Sequence, residues 1–541
     1  MIILKRKFSI EALGIFCCAL ILFTAGLGQQ EIIGFESRFY LFAREMWQQG
    51  PNWFPTTYHN PYPDYPVTGT LFIYWVSKCF GQLDKLSAVF PSAFASAVTL
   101  TVTYLIGCLQ SRRWGIYAVF FMLLTNMFIM EARTISPDQY IAMVTTLSFY
   151  FAYSAKLLYQ PRRLWFIPVC FAIGFACRGP IGLVVPAGVL SVFYLLDRDF
   201  KHFFVVGFLA VLVLIAGCLA LFGAAYHVGG MSFVQDVLRM EVSGRLQDAS
   251  LPWYFYWVES FGAYAVTFPV AILMVAGVGR HLFRSNIPED LKLMEKLLGW
   301  ALVILVGLTI PAGKKIRYVI AFVPALSLIS AYLFVLPPKA KYLIVLRKSI
   351  YYVCFVLPLL CLIIAIIAFA ETTFKTPTRF MLGFANGLQP NLPSVIVLFF
   401  ILQVVSFFYR KREMVVLGIA SLTFVMTYVS IVEPVNLALN HTRDFVEMVE
   451  TSRHMKGAEL VFYQENPDGL PIKYVMNMPV EQTPTFITTP EAIVHMKKRA
   501  YFVATPQHFL QMPKSVASSV AILYKGNIGH VPIVVFEKLT Q

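Results

Sequence analysis

The sequence predicts an all-α polytopic membrane protein of about 13 transmembrane helices, closed by a small soluble α/β unit. Three observations lead there. Apolar runs long enough for a hydrocarbon core of about 30 Å recur from residue 8 to residue 431. Of the 541 residues, 58% are hydrophobic and 13% charged, where a soluble domain carries roughly 25% charged residues. The last stretch, 433–541, has ordinary polarity and alternates helix-like with strand-like patterns.

In chain order, spans are expected at 8–28, 86–109, 114–130, 138–158, 163–177, 179–196, 203–224, 254–279, 296–312, 316–336, 350–370, 391–409 and 413–431. The first is expected to be an uncleaved helix rather than a signal peptide. The apolar run at 67–80 is too short to span and is expected to lie in the interface or re-enter. With that choice the basic clusters fall on one face, namely Lys5–Lys7, Arg112–Arg113, Arg162–Arg163, Lys339–Lys348 and Arg410–Arg412. This is a positive-inside pattern, with the N-terminus cytoplasmic and the C-terminal unit outside. The expected division is a membrane domain, 1–432, with a first outer loop at 29–85, and a soluble domain, 433–541. In the latter, helices are expected at 442–454, near 489–498 and near 505–511, with strands at KGAELVFYQ, AYFVAT, VAILYKG and VPIVVFEK.

The formal net charge of +15 belongs to topology and anionic lipid rather than to nucleic acid, because much of it lies in short loops. The nine cysteines lie in or beside apolar segments, without zinc spacing or a disulfide framework.

The first loop carries the densest chemistry. From Glu36 to Trp47 the period is helical, with Phe35, Phe39, Phe42 and Met46 on one face. Such a helix lies flat in the headgroup layer. Glu36 and Arg38 open it. A proline-punctuated loop follows, with His59 and Asp64. The other expected outer turns hold charges that a bilayer would reject at about 2.5–3.5 kcal/mol each. Glu131, Arg133 and Asp138 lie in EARTISPDQ, where Asp138 is either a helix cap or a reactive carboxylate. Arg178 lies in CRGPIG, and Lys314, Lys315 and Arg317 in GKKIRY. Arg239 and Arg245 stand near the aromatic run PWYFYW. Cations suit a phosphate or pyrophosphate headgroup. A carboxylate suits a general base or a metal ligand. Together they suit transfer of a group away from a lipid phosphate.

Several of these stretches resemble motifs of the C-type glycosyltransferases, in the bacterial branch of aminoarabinose transferases and protein O-mannosyltransferases. They are Glu36-Ser37-Arg38 followed by Ala43-Arg44-Glu45-Met46, then Ser136-Pro137-Asp138, Arg178-Gly179-Pro180, and Arg317-Tyr318 with Pro324 downstream. The resemblance implies an inverting glycosyltransferase of the bacterial inner membrane. It would pass a sugar from a polyprenyl-phosphate donor to a lipid, glycan or protein acceptor on the periplasmic face. Glu36 and Asp138 are the catalytic candidates. Arg38, Arg178, Lys314, Lys315, Arg317, Tyr318 and Arg245 are candidates for the donor phosphate and sugar. A divalent metal is a candidate cofactor, with Asp138 and His59 as its ligands. There are two departures: Phe35 stands where the family motif has an aspartate, and Asp64-Tyr65-Pro66 replaces a family lysine. The alternatives are a transporter of a lipid-linked anion, which would place charges at mid-span and repeat itself internally, and a non-catalytic binding member of the same fold.

Overall fold

The computed structural model describes residues 2–240, 251–282, 291–335, 341–374, 392–438, 440–452, 457–479 and 482–539. Up to residue 438 the described residues are mainly helical. The helices are α1 (Ile2–Thr24), α2 (Ser37–Gln49), α3 (Thr68–Phe80), α4 (Lys85–Cys108), α5 (Arg112–Leu123), α6 (Asn126–Ala132), α7 (Asp138–Leu157), α8 (Phe166–Arg178) and α9 (Pro180–Leu196). There follow α10 (Phe200–Leu238), α11 (Phe255–Ala263), α12 (Thr267–Leu282), α13 (Lys292–Gly307), α14 (Val323–Val335), α15 (Lys341–Phe374), α16 (Leu392–Phe408), α17 (Glu413–Thr427) and α18 (Glu433–Ala438). Among the described residues, five helical stretches are long and apolar enough to cross a bilayer, or seven when each of two bent pairs counts as one span. Ile10–Thr24, Pro180–Leu196 and Leu392–Phe408 are apolar but shorter.

The described residues thus supply fewer qualifying spans than the thirteen expected, and three expected elements also differ in path. The spans placed at 114–130 and 254–279 are each broken. Helices α5 and α6 bend by 77°, and α11 and α12 by 114°. The two breaks meet: Thr125 Oγ1 lies 2.6 Å from Thr267 Oγ1. Both hydroxyl oxygens also lie 2.9 Å from the Phe121 carbonyl, so one hydroxyl donates to the other and the second donates to this carbonyl, which the end of α5 leaves without a helical partner. A bilayer offers backbone no water, so a broken span needs such internal acceptors and donors. The loop expected from residue 225 is instead helical to Leu238. Gly229 and Gly230 redirect it, Gly230 with φ 65°. Helix α2 matches the expected amphipathic helix, burying Phe39, Phe42 and Met46. Helix α3 has 13 residues and stops at Gly81, about 20 Å of rise, well short of a bilayer core.

The C-terminal region is α/β. Strands β3 (Glu459–Tyr463), β4 (Thr485–Ile487), β5 (Ala500–Ala504), β6 (Val520–Ile528) and β7 (Val531–Lys538) form one sheet in the order β4-β3-β5-β7-β6. Strands β1 (Thr56–Thr57) and β2 (Asn60–Pro61) pair as a small hairpin in the first loop. The pairs β3–β4 and β3–β5 are parallel, and β5–β7 and β6–β7 antiparallel. Residue alternation gives the sheet two apolar faces. Leu460, Phe462, Tyr501 and Val503 pack under α19 (Thr442–Thr451) and α20 (Leu470–Met476). Val461, Tyr463, Phe502 and Phe536 pack under α21 (Glu491–His495), α22 (Pro506–Leu510) and α23 (Lys514–Ala517). Strand β4 and helix α20 have no counterpart in the sequence reading; both are short and lack a clear period.

Candidate active site

The helix ends, rather than the helix middles, build the site. Pro137 precedes Asp138, and the carboxylate opens α7. Arg178 closes α8, and Gly179 turns the chain into α9 with φ 66° and ψ −152°. That backbone region is open essentially to glycine alone. Beside the turn, a Cβ on Gly182 would lie 2.0 Å from the Gly174 carbonyl oxygen, so α8 and α9 touch backbone to backbone and fix where Arg178 points. Arg317 comes from a 3-10 turn, Ile316–Phe322, that leads into α14.

These three residues converge. Asp138 is 2% exposed. Its Oδ2 accepts from Arg317 Nε at 3.2 Å, and its Oδ1 lies 3.6 Å from Arg178 Nε. Aromatic rings carry the guanidinium groups on their faces. Arg178 Cζ is 4.4 Å from the centre of the Tyr65 ring and 5.9 Å from that of Tyr318. Arg317 Cζ is 3.4 Å from the centre of the Phe35 ring. Among the described residues, Arg178 Nη1 and Arg317 Nη2 are buried and meet no hydrogen-bond acceptor. Lys315 stands at the exposed rim, with Nζ 6.0 Å from the Phe35 ring centre. The surrounding protein, then the charges of Arg317, Arg38 and Arg178, hold its amine below the ordinary lysine range, with Asp138 opposing.

Glu36 is in a different situation. It is 2% exposed and pairs with Lys85 Nζ at 3.0 Å through Oε1. Its Oε2 accepts from the Ile135 backbone N–H at 3.2 Å. Lys85 also donates to the Glu31 carbonyl. The loop leading to Asp138 is held from two further sides. Ser136 Oγ donates to the buried Glu131 carboxylate, and Ser136 N–H donates to Ser92 Oγ at 3.0 Å. Glu36 thus grips the segment that presents Asp138.

The remaining candidates divide. Tyr318 is at the site. Arg38 lies 5.7 Å from the centre of the Tyr62 ring and donates to the Asp468 carbonyl of the C-terminal region. Tyr58 donates to the neighbouring Pro467 carbonyl at 2.9 Å. Lys314 turns aside and donates to the Leu251 carbonyl. Arg245 lies outside the described residues. His59 is exposed at the hairpin tip, beside Gln49, with its backbone N–H on Glu45. Among the described residues, no three His, Cys, Asp or Glu side chains gather as metal ligands. Both oxygens of Asp138 face guanidinium groups, so this residue set does not fit a divalent ion. Sequence reasoning missed Tyr62, Tyr65, Lys85 and Asp468. The alternation Tyr62-x-x-Tyr65 around Asp64 was the available signal.

Residues 64–223 match the family described as dolichyl-phosphate-mannose-protein mannosyltransferase. Two proteins of Aquifex aeolicus (strain VF5), both described as uncharacterized, are similar. One is 25% identical over 270 residues, covering 48% of this chain and 51% of its own length. The other is 24% identical over 265 residues, covering 48% and 58%. The matched part spans about half the length of these relatives. The fold is that of ArnT from Cupriavidus metallidurans. Its apo crystal structure aligns with a TM-score of 0.65 at 16% identity, over 97% of this chain and 98% of that one. Its structure bound to undecaprenyl phosphate aligns with a TM-score of 0.65 at 16% identity, over 97% of each chain. The resemblance to C-type glycosyltransferases drawn from the sequence motifs is met by both the family match and the fold.

Proposed function

We propose that this chain is an inverting glycosyltransferase that takes a sugar from a polyprenyl-phosphate donor and passes it to an acceptor at the periplasmic face of the bacterial inner membrane. The observation that carries the reading is the convergence of Arg178 and Arg317 on one carboxylate, with buried guanidinium N–H groups that meet no acceptor among the described residues. Buried donors without acceptors are costly, and a phosphate would satisfy them bidentately. The matched family is named for dolichyl-phosphate-mannose, and the similar ArnT fold holds undecaprenyl phosphate. A groove of about 280 Å³ begins at Pro180, two residues past Arg178, and is lined by Ile181, Val184, Val303, Gly307 and Pro311. It offers an isoprenoid tail an apolar bed.

In this reading the donor phosphate draws Arg178 and Arg317 onto its own oxygens and so uncovers Asp138. The Asp138 carboxylate then accepts the proton of the acceptor group. The acceptor atom attacks the anomeric carbon from the face opposite the phosphate. The carbon–oxygen bond to phosphate breaks, and its electron pair leaves on the phosphate, where the cations stabilise it. Glu36 serves from behind, holding Ile135 and thereby the Asp138 loop, while Lys85 neutralises it. Arg38 and Tyr318 frame the sugar, and no step passes through a metal. The thirteen crossings, the inward N-terminus and the outer C-terminal domain from residue 433 belong to the same proposal.

One observation favours a second reading. Phe35 occupies the position of the resembled motif's aspartate and serves as a platform for Arg317, which suits a member that binds lipid phosphate without transferring sugar. Mass spectrometry of lipid and protein extracts separates the two. A strain expressing the chain should show a sugar-sized increment on an envelope acceptor that Asp138→Asn abolishes. An unchanged extract, with undecaprenyl phosphate still bound by the purified chain, would leave the binding reading.

A further inference from the structure

Strands β3 and β5 are parallel neighbours, yet the chain leaves their carboxyl ends toward opposite faces of the sheet. From β3 it runs to α20, which packs on the face of Leu460 and Phe462. From β5 it runs to α22, whose Phe509 packs on the face of Val461 and Phe536. Where adjacent parallel strands diverge in this way, a crevice opens at their carboxyl ends, and in open α/β sheets such crevices are where ligands sit.

The crevice lies beside the membrane site. The loop after β3 is the one that Arg38 and Tyr58 of the first loop hold at Asp468 and Pro467. Its walls are polar and chemically uniform. Glu465, with a side chain 8% exposed, bridges the gap by accepting from the Thr505 N–H at 2.7 Å and facing His508 Nδ1 at 2.9 Å. A carboxylate on Nδ1 fixes that nitrogen as the donor and leaves Nε2 as an acceptor. Gln464, Asn466 and Asp468 stand along the same loop. The segments 464–469 and 505–509 contain no lysine or arginine. The site below them is cationic.

We infer that the β3–β5 crevice is the acceptor subsite and takes the hydroxyl-rich, non-anionic part of a glycan. Carboxylate, amide and imidazole side chains pair with hydroxyls, which donate and accept at once. A phosphorylated acceptor would meet the Glu465 carboxylate, and Arg38, the cation beside this loop, is already engaged by the Asp468 carbonyl. Phosphate is read below and hydroxyls above. This inference rests on the transferase reading for its meaning as an acceptor site.

The test uses the purified full chain in detergent on a printed array of neutral glycans, phosphorylated glycans and peptides, with undecaprenyl phosphate binding followed in parallel by native mass spectrometry. Neutral glycans should be retained in preference to the other two classes. His508→Ala and, separately, Asn466→Ala should each lower that retention about tenfold, the scale of one or two lost hydrogen bonds. Undecaprenyl phosphate binding should stay unchanged in both variants. Retention of phosphorylated glycans or peptides instead, or of no ligand class, overturns the inference, as does undiminished glycan binding in both variants. Loss of undecaprenyl phosphate binding by the parent chain, with neutral glycans still retained, would count against the donor reading alone.

Discussion

At the scale of single residues, the two carboxylates of the resembled motifs take different work. Glu36 sits against Lys85, Ile135 and Ile33. Asp138 faces two arginines that a competing anion can recruit. Asp138→Asn should therefore lower sugar transfer by about 10²–10⁴-fold, the usual worth of a positioned base, with undecaprenyl phosphate binding preserved. Glu36→Gln should instead strand the Lys85 charge and cost about 3–5 kcal/mol of stability. A thermal melt in detergent would read this, and Glu36→Gln with Lys85→Met should recover part of it. Lys315 adds a pH signature. Its folded-state pKa lies below the unfolded value, so between the two the unfolded chain binds the extra proton. Stability then rises with pH across that window. Donor affinity, which needs the ammonium, falls across the same window. A titration of undecaprenyl phosphate binding on the alkaline side, set against Lys315→Arg, checks the sign. Asp138, Arg178 and Arg317 were legible in the sequence, because a charge in an apolar setting is conspicuous. Tyr62, Tyr65 and Lys85 were not, since nothing local shows that a loop tyrosine lies under a distant guanidinium.

Helices and turns set the accuracy of the site. Gly179 holds a backbone conformation that side chains disfavour, and Arg178 precedes it directly. Gly179→Ala should cost about 1–3 kcal/mol and weaken undecaprenyl phosphate binding by moving the guanidinium, although it removes no charge. Binding isotherms beside melting curves would show whether the two losses travel together. Helix α2 was readable from the spacing of Phe39, Phe42 and Met46. The breaks between α5 and α6 and between α11 and α12 were not. Their interruptions are brief, Thr125-Asn126 in one and Thr267 with Pro269 in the other, and hydroxyl and proline residues also occur in unbroken spanning helices.

For the whole molecule, the last helix of the helical part is tied back to its first through charge. Arg133 is fully buried and pairs with Glu433 at 2.6 Å. The same guanidinium holds the Leu22 and Ala25 carbonyls at the end of α1, and Gln30 donates to Glu433. A chain ended after residue 432 should therefore melt well below one ended after residue 438, because the shorter one leaves Arg133 buried without its carboxylate. The alternation of elements in the C-terminal region announced its α/β class. The place where that region docks, through Asp468 and Pro467, depends on two backbone carbonyls that no side-chain pattern encodes. The groove beginning at Pro180 has one more consequence. Val184, on its wall, is 59% exposed on an apolar flank, so on the proposed transferase reading the groove would open sideways into lipid. Substrate arriving by that route is counted per unit area of bilayer rather than per litre. Diluting the donor with inert lipid at constant bulk concentration should slow the proposed sugar transfer in proportion, while adding water should leave its rate untouched.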